Sequence, residues 1–417
     1  LNKKRFVTIV SHIENLELRK DTGQIPYHAY RTLGYDATLV SYYFTLSGGR
    51  SKGPVKHPPK DENVINNDYP YLKSEVNGLK LHFMPDLGRG KFYEKSIVNY
   101  LLSESKKIDI LNLFHFSAEN IFYTLLYKLK NPKGKVYIKL DIDVDFYKSQ
   151  TSFFNTNSFL GSIKKFLYSV FLMPVFYKTI DLLSAESEYS LKYFQSRFPK
   201  LANKTVQIPN GVDHLKIRFL IKKLEYNEKE NIILFVGRVG SQQKNTELIL
   251  RIAPQMNLKY WKIILAGPVE ENFKKEIIFF FEKNPYLKEK IIFIGNLTEP
   301  TELYKLYNRS KILLMPSQHE GFPNAGVEAI FFGLVPVLSD KIYAFNTLTD
   351  FGQHGFNIPI DNDSKTISVI NKIIDNESIL EKLSRKSSSY AEREFIWQNI
   401  ITKLDSYLTK ATEAPYS

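Results

Sequence analysis

Short apolar runs rich in β-branched residues alternate with helix-like segments along most of a 417-residue chain, and no internal repeat interrupts them. That alternation, over a length suited to two or three domains, predicts an α/β protein of two doubly wound, Rossmann-like domains facing a cleft. In the first half the strands are expected at 6–10, 37–40, 79–83, 108–113, 136–140, 182–185 and 206–208. Helices are expected at 25–32, 94–103, 118–129, 158–176 and 189–198. The polar stretch 46–71 carries Gly48, Gly49, Gly53, Pro54, Pro58 and Pro59, a composition that reads as a long loop resisting both helix and ladder.

A second alternation starts at 232–236, after the charged segment 216–230. Its strands are expected at 262–266, 291–294, 312–315 and 336–338, with helices at 246–253, 272–282, 301–308 and 324–332. The domains therefore read as 1–212, 213–395, and a C-terminal helix at 396–417 returning to the first domain.

Hydrophobic residues make up 43% of the chain and charged residues 24%, which suits a folded globular protein. Cysteine is absent, excluding disulfide scaffolds, thiolate metal sites and a cysteine nucleophile. The longest uncharged apolar stretch, 166–177, is shorter than the ~20 residues needed to span a bilayer. Lys3, Lys4 and Arg5 precede only a short apolar run, so no secretory signal is read and a cytoplasmic protein is expected. The formal charge of +13 falls mostly before residue 213, which points to an anionic partner on the first domain or simply to solubility. No basic stripe interleaved with aromatics suggests nucleic acid.

The densest chemical signal is Pro316-Ser317-Gln318-His319-Glu320-Gly321-Phe322-Pro323-Asn324-Ala325-Gly326-Val327-Glu328, directly after a strand. Strand, turn and helix start form an anion-binding layout, because the first helical amides lack intrahelical acceptors. Glu328 lies about one helical turn beyond Asn324, within reach of ligand hydroxyls. Val236-Gly237-Arg238 with Lys244-Asn245-Thr246 supplies cations at another strand end.

Together these stretches resemble the retaining glycosyltransferases of the GT-B fold, in the large family numbered four. The stretch Ile208-Pro209-Asn210-Gly211-Val212-Asp213 is similar to that family's interdomain motif, and Phe293-Ile294-Gly295 and Gly333-Leu334-Val335-Pro336-Val337 fit the same pattern. The resemblance implies that Arg238 and Lys244 bind a donor diphosphate, Glu328 the ribose hydroxyls and Glu320 the donor sugar. It also implies that Gly321, Phe322, Pro323 and Asn324 line the sugar and phosphate site, with the nucleotide read near Gly295. The donor would be a UDP- or GDP-linked sugar, with no obligatory cofactor and no metal.

In the first half, Lys20-Asp21-Thr22-Gly23-Gln24 resembles the family's glycine-rich loop with one glycine missing; the alternative for Gly23 is a plain turn before a helix. His115, at a strand end, sits where the family often carries an active-site histidine. Asp141, Asp143 and Asp145 suit a solvated strand end or an acceptor-hydroxyl site better than a metal site. The segment 158–176 reads as a core-facing helix, with an interfacial membrane helix as its rival.

The expected function is sugar transfer from a nucleotide-sugar to the hydroxyl of a glycan or lipid-linked acceptor, in surface glycan or glycolipid synthesis. Glu320, His115, Arg238 and Lys244 form the expected catalytic set. Peripheral contact with the anionic inner membrane face would present a lipid-linked acceptor. A nucleotide-sugar epimerase or hydrolase, or a non-catalytic partner subunit of the same fold, are the alternatives.

Overall fold

The structure is a computed structural model describing residues 3–47, 50–90, 93–142, 144 and 172–410. The chain divides into two compact units, one formed by Leu1–Glu186, Ser190–Ile208 and Ile400–Ser417, the other by Ser187–Tyr189 and Pro209–Asn399.

The first unit is built on a sheet of seven strands, β1 (Arg5–Ile9), β2 (Asp36–Tyr42), β5 (Lys80–Met84), β6 (Ile110–Phe114), β7 (Lys135–Lys139), β8 (Leu182–Ala185) and β9 (Thr205–Gln207). Their spatial order is β5-β2-β1-β6-β7-β8-β9, and every pairing is parallel. The order reverses between β1 and β6, which makes that junction the topological switch point. Helix Asp21–Arg31 opens four residues before its expected start, because Asp21 suits a first turn electrostatically and Lys20 accepts from the amides of Gly23 and Gln24. Helices Lys95–Glu104, Ala118–Lys130 and Glu188–Arg197 lie close to their expected places.

The stretch 46–71 departs from its reading as a structureless loop. Strands β3 (Phe44–Ser47) and β4 (Arg50–Pro54) form an antiparallel hairpin, and helices Glu62–Asp68 and Tyr71–Ser74 follow. Asp61 caps the first of these helices by accepting from the Asn63 amide, a local start signal that outweighs the surrounding turn composition. Buried Tyr69 then ties the segment to the body by donating to the Ile13 carbonyl. The helix expected at 158–176 lies outside the described residues except for its last part, where helix Met173–Thr179 buries Phe176.

The second unit carries a six-stranded parallel sheet of β10 (Ile232–Val236), β11 (Lys262–Ala266), β12 (Ile291–Gly295), β13 (Ile312–Met315), β14 (Val335–Ser339) and β15 (Phe356–Ile358). The order β12-β11-β10-β13-β14-β15 puts its switch point between β10 and β13. Alternate residues of β10 enter different cores: Ile233 and Phe235 join one cluster with Trp261 and Ile370, while Ile232 and Leu234 join another with Tyr307 and Phe332. A strand buried on both faces must be apolar throughout, which is why these strands stand out in the sequence. The charged segment 216–230 is not a bare linker, since helix His214–Leu220 occupies its start, capped by Asp213.

Helix Trp397–Lys410 crosses from the second unit into the first. Its Asp405 accepts a 2.6 Å hydrogen bond from the Tyr35 hydroxyl, and Ile401, Leu404 and Leu408 are buried. No helix among the described residues is long and apolar enough to cross a membrane.

Candidate active site

The loops that leave β10 and β13 meet at the second unit's switch point. The Gln318 amide donates to the Gln243 carbonyl at 2.8 Å, and the Gln243 side chain donates to the His319 carbonyl at 3.2 Å. Asn245, held in the left-handed region at φ 50°, opens helix Thr246–Ile252 and donates its side-chain amide to the Pro316 carbonyl. These ties fix one loop against the other and bring Lys244 to Glu320, 76 positions away, as an ion pair. The pair is largely shielded, with side-chain exposures of 17% and 9%, and Ser317 donates a 2.9 Å hydrogen bond to the same Glu320 oxygen. Glu320 is further fixed by a parallel bridge to Ile342.

Backbone crowding governs the strand ends beside this pair. Gly267 follows β11 at φ 141°, and a Cβ there would stand 1.9 Å from the Gly237 carbonyl oxygen, so only glycine lets the two turns approach. Arg238 is exposed, and its guanidinium has no ion-pair partner among the described residues. Gly295 ends β12 and accepts the Gly267 amide.

Helix Asn324–Phe331 carries the rest of the expected site. Pro323 precedes it, Asn324 is exposed at its first position, and Glu328 is partly buried in its second turn. Gly321 is partly buried in the turn, whereas Phe322 belongs to the core, its ring against that of Phe395. Thus Glu320, Gly321, Pro323, Asn324 and Glu328 share one turn-and-helix element, while Phe322 serves as its apolar anchor. Asn210 went unassigned in the sequence although it lies in a recognised motif. Its side-chain amide donates to the Asn324 side chain at 3.1 Å, and its buried Oδ1 has no partner among the described residues. Ser317, Gln243 and Asn245 are likewise site-forming residues whose only sequence signal was their place beside Glu320 and Lys244.

His115 and Gly23 belong to the first unit. A cavity of about 400 Å³ opens at that unit's switch point, lined by residues following β1, including His12 and Thr22, and by His115, Ser117 and Asn120 following β6. Glu17, Glu94 and Glu119 also line it, and no Lys or Arg does among the described residues. The positive excess of the first half is therefore not gathered on this lining. Lys3, Lys4, Arg5, Lys80 and Lys107 instead line a groove at the opposite, amino-terminal end of the same sheet. Burial lifts the Glu94 carboxyl above its ordinary range against the pull of Arg89. Gly23 lies inside helix Asp21–Arg31, where a Cβ would meet the Leu18 carbonyl oxygen at 2.4 Å, which gives this glycine a packing reason.

His115 is 60% exposed and sits at φ 68°, with its Nδ1 3.8 Å from the Asp141 carboxylate, itself at φ 42°. Asp143 and Asp145 lie outside the described residues.

Two adjoining loops at a switch point, with a shielded cation, an exposed guanidinium and a helix start, form an arrangement able to hold a phosphorylated, hydroxyl-bearing ligand. Residues 216–393 match the family model described as Glycosyl transferases group 1. The capsular polysaccharide biosynthesis glycosyltransferase CapM of Staphylococcus aureus is 24% identical over 270 residues, covering 60% of this chain and 69% of that protein. A Campylobacter jejuni transferase, N-acetylgalactosamine-N,N'-diacetylbacillosaminyl-diphospho-undecaprenol 4-alpha-N-acetylgalactosaminyltransferase, is 23% identical over 237 residues, covering 57% of this chain and 61% of that protein. Other curated relatives are matched over 46% and 58% of their length. Among solved structures, Anabaena Alr3699/HepE in complex with UDP superimposes with a TM-score of 0.67 at 13% identity, covering 98% of this chain and all of that one. The chain has the fold of the GT-B glycosyltransferases, and its second unit contains a group 1 glycosyl transferase domain.

Proposed function

We propose that this glycosyltransferase moves a hexosyl group from a UDP- or GDP-linked sugar to a hydroxyl of a glycan or lipid-linked acceptor, with retention of anomeric configuration, in surface glycan synthesis. The observation that carries the donor assignment is the Lys244–Glu320 pair at the β10/β13 switch point, with exposed Arg238 on the same loop. A leaving diphosphate gains charge at the transition state and needs fixed cations. Arg238 and Lys244 serve that role, and Glu320, released from Lys244 as the phosphates arrive, turns to the donor sugar's hydroxyls. Glu328 holds the ribose, the turn 321–324 encloses the sugar and phosphates, and Gly295 borders the nucleotide. Retention follows the resemblance: the acceptor attacks the same face the diphosphate leaves, and the departing phosphate takes the acceptor's proton. Bond formation to the acceptor oxygen and cleavage of the sugar–phosphate bond then balance without a protein nucleophile.

The acceptor is assigned to the first unit's cavity beside His115, and peripheral contact with an anionic membrane would present it there. The relatives' printed roles in capsule synthesis and on an undecaprenol-linked glycan support this acceptor class. The test is transfer from UDP- and GDP-sugars to undecaprenyl-diphosphate-linked glycans, with the product's anomeric configuration read by NMR. A product of inverted configuration contradicts the retaining assignment, and turnover of every donor to free sugar alone contradicts transfer.

A further inference from the structure

Lys139 ends β7, yet its side chain is 0% exposed, an expensive place for a cation unless it is paired. Its ammonium stands 3.7 Å from Asp21 at the start of helix Asp21–Arg31 and 3.5 Å from Glu186 just beyond β8. It also donates a 3.3 Å hydrogen bond to the carbonyl of Ile208, the last residue of the first unit before the chain enters the second. One buried nitrogen thus ties together groups from three different segments at the carboxyl end of the sheet, the end at which ligand sites form in such folds.

Directly above this cluster lie two non-glycine residues in the left-handed region, His115 after β6 and Asp141 after β7. Such backbones persist only where the surroundings over-determine them, and they gather at functional sites. The Lys139 carbonyl accepts the His115 amide at 2.8 Å, and Asp141 is two residues further on. The groups facing the ammonium are Asp21, Glu186, Asp141 and the Tyr137 hydroxyl, which is bonded to Ser184; His115 and Asp141 also act on Asp21. Burial opposes the charge on Lys139, but Glu186 and Asp21 outweigh it and hold the ammonium above the ordinary lysine range. Asp21 is lifted by its own burial against the pull of Lys139.

We infer that Lys139, clamped by Asp21 and Glu186, is a positioning residue that holds His115 and Asp141 in their left-handed conformations for the acceptor side of the reaction. This deepens the reading of the first unit's cavity as an acceptor site and rests on it. Lys139 touches no reacting atom; it acts through the two exposed groups above it. A cluster kept for stability alone is replaceable by apolar and neutral groups of similar size, as buried ion pairs often are.

The experiment compares the wild-type full chain with Lys139→Met and with the neutralised triple variant Lys139→Met/Asp21→Asn/Glu186→Gln. The single variant removes the buried cation that Asp21 and Glu186 share and melts well below wild type; the triple removes that conflict and melts close to it. Two readouts on the triple decide the matter. Hydrogen exchange at His115, whose amide bonds to the Lys139 carbonyl, should rise at least tenfold, with peptides of the second unit unchanged. With UDP-glucose as the probe donor and water as acceptor, kcat should fall at least tenfold while the Kd for UDP stays within twofold. Unchanged exchange at His115, or wild-type kcat in a stable triple variant, overturns the proposal. If wild type hydrolyses no UDP-glucose, it is the choice of donor that fails, and the exchange readout still decides whether Lys139 positions His115.

Discussion

The two switch points of this chain are built alike and equipped differently. In each unit a loop from the first strand meets a loop from the strand at which the order reverses. In the second unit those loops are crowded by glycines and pair a lysine with a glutamate just before a helix start, with an exposed arginine on the β10 loop. In the first unit the matching cavity presents three glutamates and two histidines, with a buried lysine cluster beside its floor. On the proposed reading, one topology then offers cations where a diphosphate would leave and hydroxyl-binding acceptors where an attacking sugar would sit. The charge of the chain as a whole does not report this division, because the first unit's lysines line the other end of its sheet.

The largest effect expected from breaking this contrast is that of Lys244→Ala. It removes a cation from the proposed phosphate site and leaves the mostly buried Glu320 carboxylate with Ser317 as its remaining side-chain partner among the described residues. Loss of one member of such a pair costs about 3–5 kcal/mol, so the variant should show a lowered melting temperature as well as lost transfer. Double replacement with Glu320→Gln should restore the melting temperature but not the transfer. Arg238→Ala separates catalysis from stability, since the exposed guanidinium has no ion-pair partner among the described residues. Its melting temperature should match wild type while kcat falls about 10- to 100-fold, below the full worth of a desolvated donor because solvent screens it. A melting temperature several degrees lower would show that Arg238 is structural.

His115→Asn sharpens the comparison from the other side. Asparagine tolerates the left-handed backbone that His115 adopts, so the turn survives while the imidazole is lost. Transfer to acceptor should fall roughly tenfold or more, in line with lost acid–base or hydrogen-bonding assistance, with UDP affinity unchanged. A weakened UDP affinity would place His115 with the donor instead. The smallest effect concerns Lys229, remote from both switch points. Burial, with Lys223 and Lys311 nearby, lowers its pKa to about 7, against an unfolded value near 10.4. Between those values the unfolded chain binds more protons than the folded one, so stability rises with pH across that window; below pH 7 the full penalty applies. The melting temperature should therefore climb from pH 7 to 9 by a few degrees, and this climb should shrink in Lys229→Met.

Much of the fold was legible because strands buried on both faces leave continuous apolar runs, as in Ile232–Val236 and Ile312–Met315. Strand β15 escaped because three residues, Phe356-Asn357-Ile358, carry no pattern of their own and pair only against a completed β14. The hairpin and helices within 44–74 were hidden by turn-forming composition, which local capping and one buried tyrosine overrode. At the site, residue types on the loops were legible, but pairings between distant loops were not. Nothing in Lys244 or Glu320 alone announces that each occupies the other before a ligand arrives. Lys139 was invisible for a related reason: a lysine closing an apolar strand reads as a solvated end, and only the arrival of Asp21, Glu186 and Ile208 from other segments shows it to be enclosed.

Isothermal titration of the full chain with UDP and with GDP, in wild type and Lys244→Ala, tests the donor assignment most directly. One of the two nucleotides should bind wild type with a dissociation constant in the micromolar range, and its affinity should fall at least 30-fold in the variant, about 2 kcal/mol, as expected when a charge partner is removed from a shielded site. Binding of neither nucleotide to wild type, or equal binding to both proteins, would contradict the assignment of the β10/β13 switch point to the donor diphosphate.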